Sequence, residues 1–205
     1  MISLEARDLG KWFGQRKVFD GVSFLMEEGE SLVITGKNGS GKTTLLKILC
    51  GLTRPTEGEV ILSSDGETIP QAKSRSAFGV VMPDLELYGE LTARENLKYL
   101  SRIRGLFLRE DELREKIARM GLAGRDNDLV SSFSSGMRQR LKYAFALLHQ
   151  PQILLLDEPS ANLDQEGTAL VDEIVQEHKE RGIVVLATNE KADFKYGDQI
   201  VQLGT

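Results

Sequence analysis

Apolar positions in this chain first alternate and then cluster. Ile2, Leu4 and Ala6 alternate with Ser3, Glu5 and Arg7, the period of a half-buried strand. Val22, Phe24 and Met26 repeat it, with Ser23, Leu25 and Glu27 between. Leu32-Val33-Ile34 is then an unbroken apolar run, as a strand buried on both faces requires. Two alternating strands ahead of a buried one predict an antiparallel layer beside a parallel core. Leu45, Leu46, Ile48 and Leu49 place an apolar face on the helix that follows, and Gly51 caps it. Residues 54–59 form a turn cluster, Val60-Ile61-Leu62 a short strand, and Asp65-Gly66 a hairpin-type turn. Residues 78–82 form another buried strand, stopped by Pro83.

From 84 to 150 the texture is helical. Thr92 heads a helix over 93–103, with Glu95 placed for a capping box. Leu113, Ile117 and Met120 fall at i, i+4 and i+7, so 111–120 is amphipathic. The α/β texture then returns. Ile153-Leu154-Leu155-Leu156 ends in Asp157-Glu158, a helix runs from about 165 to 181, Gly182 ends it, and residues 183–187 form a buried strand leading to Thr188-Asn189. Repeated strand–turn–helix units with apolar strands predict an α/β fold with a mostly parallel sheet. The reading is one domain over 1–205. Its α/β core and antiparallel β subdomain take 1–83 and 151–205, and a helical subdomain is inserted over about 84–150.

Bulk properties exclude some classes. Net charge is −5, which gives no electrostatic footprint for nucleic acid or for an anionic membrane surface. The single cysteine, Cys50, rules out an intrachain disulfide, fits a reducing compartment and reads as a small core hydrophobe. No apolar run reaches bilayer length, and the first residues lack a signal-peptide core. The expectation is a cytoplasmic chain, held at any membrane by another polypeptide.

Chemistry concentrates at the strand ends. Gly36, Gly41, Lys42 and Thr43 fit G-x-x-x-x-G-K-[ST], the pattern of a phosphate-binding loop, here Gly36-Lys37-Asn38-Gly39-Ser40-Gly41-Lys42-Thr43-Thr44. Glycines let the backbone approach a polyphosphate. Successive N–H groups and the helix N-terminus attract its charge. Lys42 supplies a point charge and the Thr43 hydroxyl can sit on Mg²⁺. Gly36, Asp157 and Asn189 all lie at or just past predicted strand ends, where ligands bind in such sheets. Asp157 reads as the Mg²⁺-side acid and Glu158 as the group that orients the attacking water. Trp12 and Phe13, placed on a turn between the first two strands, read as packing or as a stacking face for a purine.

Residues 153–164, with Leu154-Leu155-Leu156-Asp157-Glu158-Pro159-Ser160-Ala161-Asn162-Leu163-Asp164, resemble the second nucleotide motif and following loop of ATP-binding-cassette (ABC) ATPases. Phe133-Ser134-Ser135-Gly136-Met137-Arg138-Gln139-Arg140 resembles their signature motif. The resemblance implies a P-loop NTPase fold of ABC type and an ATPase with ATP and Mg²⁺. It implies a homodimer formed on ATP binding, with Ser134, Ser135, Gly136 and Met137 serving the partner's nucleotide and Asp164 in the loop crossing the dimer. Phe13 matches the family's adenine-stacking aromatic, with Trp12 the second choice. ATP binding would close the dimer, and product release would reopen it.

Two departures stand out. Pro83 occupies the position of the family's glutamine, leaving Asp84 as a substitute oxygen ligand. Asn189 replaces the family's histidine. It can hydrogen-bond a phosphate but carries no proton or charge at neutral pH, so slow hydrolysis is expected.

The resemblance further implies an ATPase subunit of a transporter, bound to integral membrane permease subunits, with no nucleic acid. Among subgroups the chain resembles the small ATP-binding subunits of the haem-exporter complex of cytochrome c maturation. That likeness rests on its short length, the opening 2–9, Val33-Ile34-Thr35-Gly36 and Ala187-Thr188-Asn189, and it implies a haem-handling partner. Alternatives are an exporter of lipid, drug or peptide, a non-transport dimerisation switch, and a degenerate ATP-binding scaffold.

Overall fold

The computed structural model describes residues 1–204. The chain divides into two compact units, residues 1–82 with 152–159 and 175–205, and residues 83–151 with 160–174.

The first unit holds both sheets. Strands β1 (Ile2–Phe13) and β2 (Arg16–Glu27) pair antiparallel, and β1 also pairs with β4 (Glu57–Ser64), which turns back into β5 (Glu67–Thr68). The second sheet is parallel throughout. It contains β3 (Ser31–Gly36), β6 (Phe78–Val81), β7 (Ile153–Asp157), β8 (Ile183–Ala187) and β9 (Gln199–Leu203) in the order β6-β7-β8-β3-β9. Every residue of β7 and β8 is buried, as their unbroken apolar runs require. Helix α1 (Lys42–Leu49) buries Leu45, Leu46, Ile48 and Leu49 in one cluster with Leu4 and Met26 of the antiparallel sheet and Leu155 and Val185 of the parallel one. Each such side chain contributes about 1.5–3 kcal/mol. Cys50 is buried in the same cluster. A single helical turn, α2 (Gln71–Ser74), precedes β6.

The second unit contains α3 (Ala93–Ile103), α4 (Glu110–Ile117) and α5 (Ser135–Ala146). Thr92 and Glu95 form the expected capping box: the Thr92 side chain accepts from Glu95 N at 3.2 Å, and Glu95 Oε2 accepts from Thr92 N at 2.8 Å. Asn96 is fully buried and braces the preceding loop, accepting from Tyr88 N and donating to the Tyr88 and Thr92 carbonyls. Leu97, Leu113, Ile117, Met120, Leu141 and Tyr143 are buried. Helix α6 (Gln165–Lys179) belongs to this unit through Ile174 and to the first from Val175.

Two expectations change, and one element is new. Trp12 and Phe13 lie in β1, paired with Lys17 and Arg16, and not on a turn; β1 absorbs three register shifts and so runs on past its alternating part. The helix over 111–120 leaves helical geometry at Met120, whose side chain still points inward and is buried. The edge strand β9 was not anticipated from the sequence.

Candidate nucleotide site

The phosphate-loop pattern spans the end of β3 and the start of α1. Gly36 (φ 151°) has no room for a side chain: a Cβ there would lie 2.5 Å from the Leu203 carbonyl oxygen and 2.7 Å from Ser40 Oγ. Gly41 (φ 101°) adopts the left-handed conformation ahead of α1, and a Cβ there would strike Val18 at 2.4 Å. Lys37 and Asn38 are exposed, and the Lys37 carbonyl accepts from Ser40 N at 3.0 Å. Thr44 is half-buried. The first turn of α1 has no acidic residue, which leaves its positive end open to an anion. Ser40 Oγ is buried and has no hydrogen-bond partner, a cost that an incoming phosphate oxygen would relieve.

Lys42 is 7% exposed. Its ammonium donates to the Gly36 carbonyl at 3.0 Å and to Asn189 Oδ1 at 2.9 Å, and Glu158 Oε1 lies 3.9 Å away. Asn189 Nδ2 in turn donates to Asn38 Oδ1. Thr43 Oγ1 donates to Asp157 Oδ2 at 2.6 Å. Asp157 is the last residue of β7 and is buried. Glu158 follows in a left-handed conformation (φ 50°), held by its own N–H on the Ala187 carbonyl at 2.8 Å.

Burial is the first cause that pushes the Glu158 carboxyl above the usual carboxylate range, and the charge of Asp157 adds to it. The Asn189 backbone N–H, the Lys42 ammonium and the Thr188 hydroxyl pull the other way. The arrangement can neutralise a polyphosphate and present a partly desolvated carboxylate beside it. Among the described residues no group of three or more His, Cys, Asp and Glu side chains could hold a metal ion. Thr43 Oγ1 and Asp157 Oδ2 offer two neighbouring oxygens, the donor type that a hard cation takes.

The family model described as ABC transporter matches residues 19–161. The chain belongs to the ABC transporter family. It is 36% identical over 187 residues to the uncharacterized ABC transporter ATP-binding protein YybJ of Bacillus subtilis, a match covering 91% of this chain and 84% of that protein. It is 37% identical over 197 residues to the cytochrome c biogenesis ATP-binding export protein CcmA of Nitrosospira multiformis, covering 94% of each. Two longer relatives are spanned over 60% and 61% of their length. Among solved structures it resembles the dimeric ATP-binding cassette MJ0796 bound to ADP and Pi, with TM-score 0.83 and 27% identity over 98% of this chain and 94% of that one.

The second unit of this ABC protein carries the signature-motif residues with Asp84 and Asp164. Ser134 caps α5, its side chain accepting from Met137 N at 3.2 Å. Ser134 and Ser135 are exposed, and Gly136 and Met137 half-buried. With Asn162 and Asp164 they line a cavity of about 380 Å³. Asp164 accepts from Gly167 N at 2.8 Å and from the Arg140 guanidinium. Those two contacts, the backbone one first, hold its carboxyl below the usual range. Asp84 is exposed and faces Lys142, whose ammonium donates to the Pro83 carbonyl at 3.1 Å.

Phe13, in the first unit, is 57% exposed, with the Lys11 ammonium 4.8 Å from its ring centre. Trp12 is half-buried. Sequence reasoning missed Thr188, whose hydroxyl donates to Asp193 at 2.8 Å and lies 3.3 Å from Glu158 Oε2. It also missed the Arg140 contact to Asp164. The signal for Thr188 was its place between a buried strand and Asn189. Arg140 had none beyond following the Ser134–Met137 motif.

Proposed function

We propose that this chain is the ATP-hydrolysing subunit of an ABC transporter and works as a head-to-tail homodimer on a membrane permease. The observation that carries the reading is the convergence of Lys42, Thr43, Asp157 and Glu158 within hydrogen-bond or ion-pair reach around one glycine-walled loop. Gly36 to Thr44 would cradle the phosphates of ATP, and Phe13 would stack on its adenine. Thr43 and Asp157 would hold Mg²⁺. When bound, the ion supplies charge neutralisation across the β- and γ-phosphates.

Glu158 orients and deprotonates the attacking water, and Lys42 balances charge on the leaving oxygens. Ser134, Ser135, Gly136 and Met137 serve the ATP of the partner subunit, the end of α5 presenting its positive pole to the terminal phosphate. Asp164 lies in the loop that crosses the dimer. No helix among the described residues is long and apolar enough to cross a membrane, so the membrane partner is a separate polypeptide or segment. The helical region 84–104 passes movement to it from the cytoplasmic face.

The narrower reading is haem handling in cytochrome c maturation. It is supported by the likeness to CcmA, which covers 94% of that protein. A mild-detergent pull-down of the chain from its native membranes tests both levels. An integral membrane partner is expected. Haem-handling partners support the narrower reading, another permease overturns it alone, and the absence of any integral partner overturns the transporter reading in favour of a soluble dimerisation switch.

A further inference from the structure

We propose that Lys142 is a positioning residue that latches segment 83–87 to α5 and so carries the influence of the membrane partner to the signature residues. The inference rests on the reading that the helical region 84–104 meets the membrane partner and that the start of α5 serves the ATP of the partner subunit.

Packing does not hold the segment. Residues 83–87 lie outside helix and strand, and none of them is buried. A stretch with no buried side chain keeps its shape through polar contacts. The residues that follow have theirs: Tyr88 exchanges two hydrogen bonds with the Asn96 side chain, and the Gly89 carbonyl accepts from Ser131 N at 3.0 Å. At the front of the segment the anchor is Lys142. Its ammonium donates to the Pro83 carbonyl at 3.1 Å, and the charges of Asp84 and Glu86 act on the same group. Proline has no N–H and no polar side-chain atom, so that carbonyl is the one polar group of residue 83.

Lys142 stands seven residues beyond Ser135, two turns along α5 and on the same face. Leu141, Tyr143, Ala144 and Ala146 beside it are buried, so α5 is seated in the core of the second unit. Lys142 itself is half-buried. Burial lowers the pKa of its ammonium, and the charges of Asp84 and then Glu86 oppose that. One ammonium thus joins the helix that begins at the signature residues to the unburied front of the region that meets the membrane partner. A displacement of segment 83–87 pulls on α5 through this group, and the reverse holds equally.

The test compares ATP turnover of the isolated chain with that of its complex purified from native membranes in mild detergent. Lys142→Met keeps the apolar stem and removes every donor, while Lys142→Arg keeps charge and donors. Lys142→Met should leave turnover and ATP affinity of the isolated chain at the parent values and still assemble. It should divide the effect of the membrane partner on turnover by roughly three to ten, the worth of one hydrogen bond. Lys142→Arg should retain most of that effect. An undiminished effect in Lys142→Met overturns the inference. So does an equal loss in the isolated chain and in the complex, which is what mere destabilisation gives. A parent chain that turns over equally alone and in the complex overturns the reading of region 84–104 as the point of transmission, and the inference with it.

Discussion

Thr43 Oγ1 donates a 2.6 Å hydrogen bond to Asp157 Oδ2 across 114 positions of sequence. One residue lies in the first turn of α1 and the other closes β7, so the bond joins the phosphate loop to the acidic strand end. A hydroxyl and a carboxylate so close form a two-oxygen edge for a hard cation.

Loss of either oxygen should weaken Mg²⁺ first. Thr43→Ala and Asp157→Asn are expected to lower apparent Mg²⁺ affinity in the presence of ATP by at least the roughly 10- to 100-fold typical of outer-shell partners. A Mg²⁺ titration of ATP binding measures this, and Mg²⁺ dependence matching the parent chain would rule the assignment out.

Glu158→Gln should lower phosphate release by at least about a hundredfold, the scale of general base catalysis, while ATP binding persists. Because burial raises the Glu158 carboxyl, the base is lost as pH falls through that raised value. Turnover should therefore decline on the acid side before an unperturbed carboxylate would protonate. Equal turnover in the variant would support the degenerate-scaffold alternative.

Asn189→His should raise turnover of the assembled complex by roughly three- to tenfold, because a protonated ring makes a charge-assisted hydrogen bond about twice as strong as the neutral amide's. If turnover stays at the parent value, the slow hydrolysis expected of this chain has another cause.

His178 should make the fold acid-sensitive. It is 1% exposed on α6, and burial, then the charge of Arg181, lowers its pKa from 6.5 to about 4. The unfolded chain binds the extra proton between these values, so stability is full above about pH 6.5 and is lost as pH falls toward 4. The loss approaches about 3 kcal/mol, from about 1.4 kcal/mol per pKa unit. Urea unfolding across that range should show this slope in the parent chain and a flatter one in His178→Leu. Parallel slopes would refute it.

Much of this was legible in the sequence where the signal is local. The run Leu32–Ile34, the glycine spacing and the Thr92–Glu95 box are all decided within a few residues. The rest depends on partners far along the chain. In β9 residues 199–202 alternate half-buried and exposed and Leu203 alone is buried, and what makes them a strand is pairing with β3. Phe13 extends β1 only because Arg16 and Lys17 close a hairpin beyond register shifts that erase the period-2 pattern. The contacts Lys42–Asn189 and Asn189–Asn38 span 147 and 151 positions. Spacing marked each residue but not which atoms would meet.

The placement of β3 between β8 and β9 sets a schedule for the protein's own synthesis. The strand that bears the phosphate loop is translated well ahead of both flanking strands, which lie beyond residue 182. At about 5–20 residues per second a ribosome needs roughly 8 to 30 seconds to cover that gap. Throughout it Leu32, Val33 and Ile34 have no lateral partners in the parallel sheet. The nascent chain must carry an adhesive apolar segment while that gap is translated, and the strand that bears the nucleotide loop cannot take its place between two parallel neighbours before then.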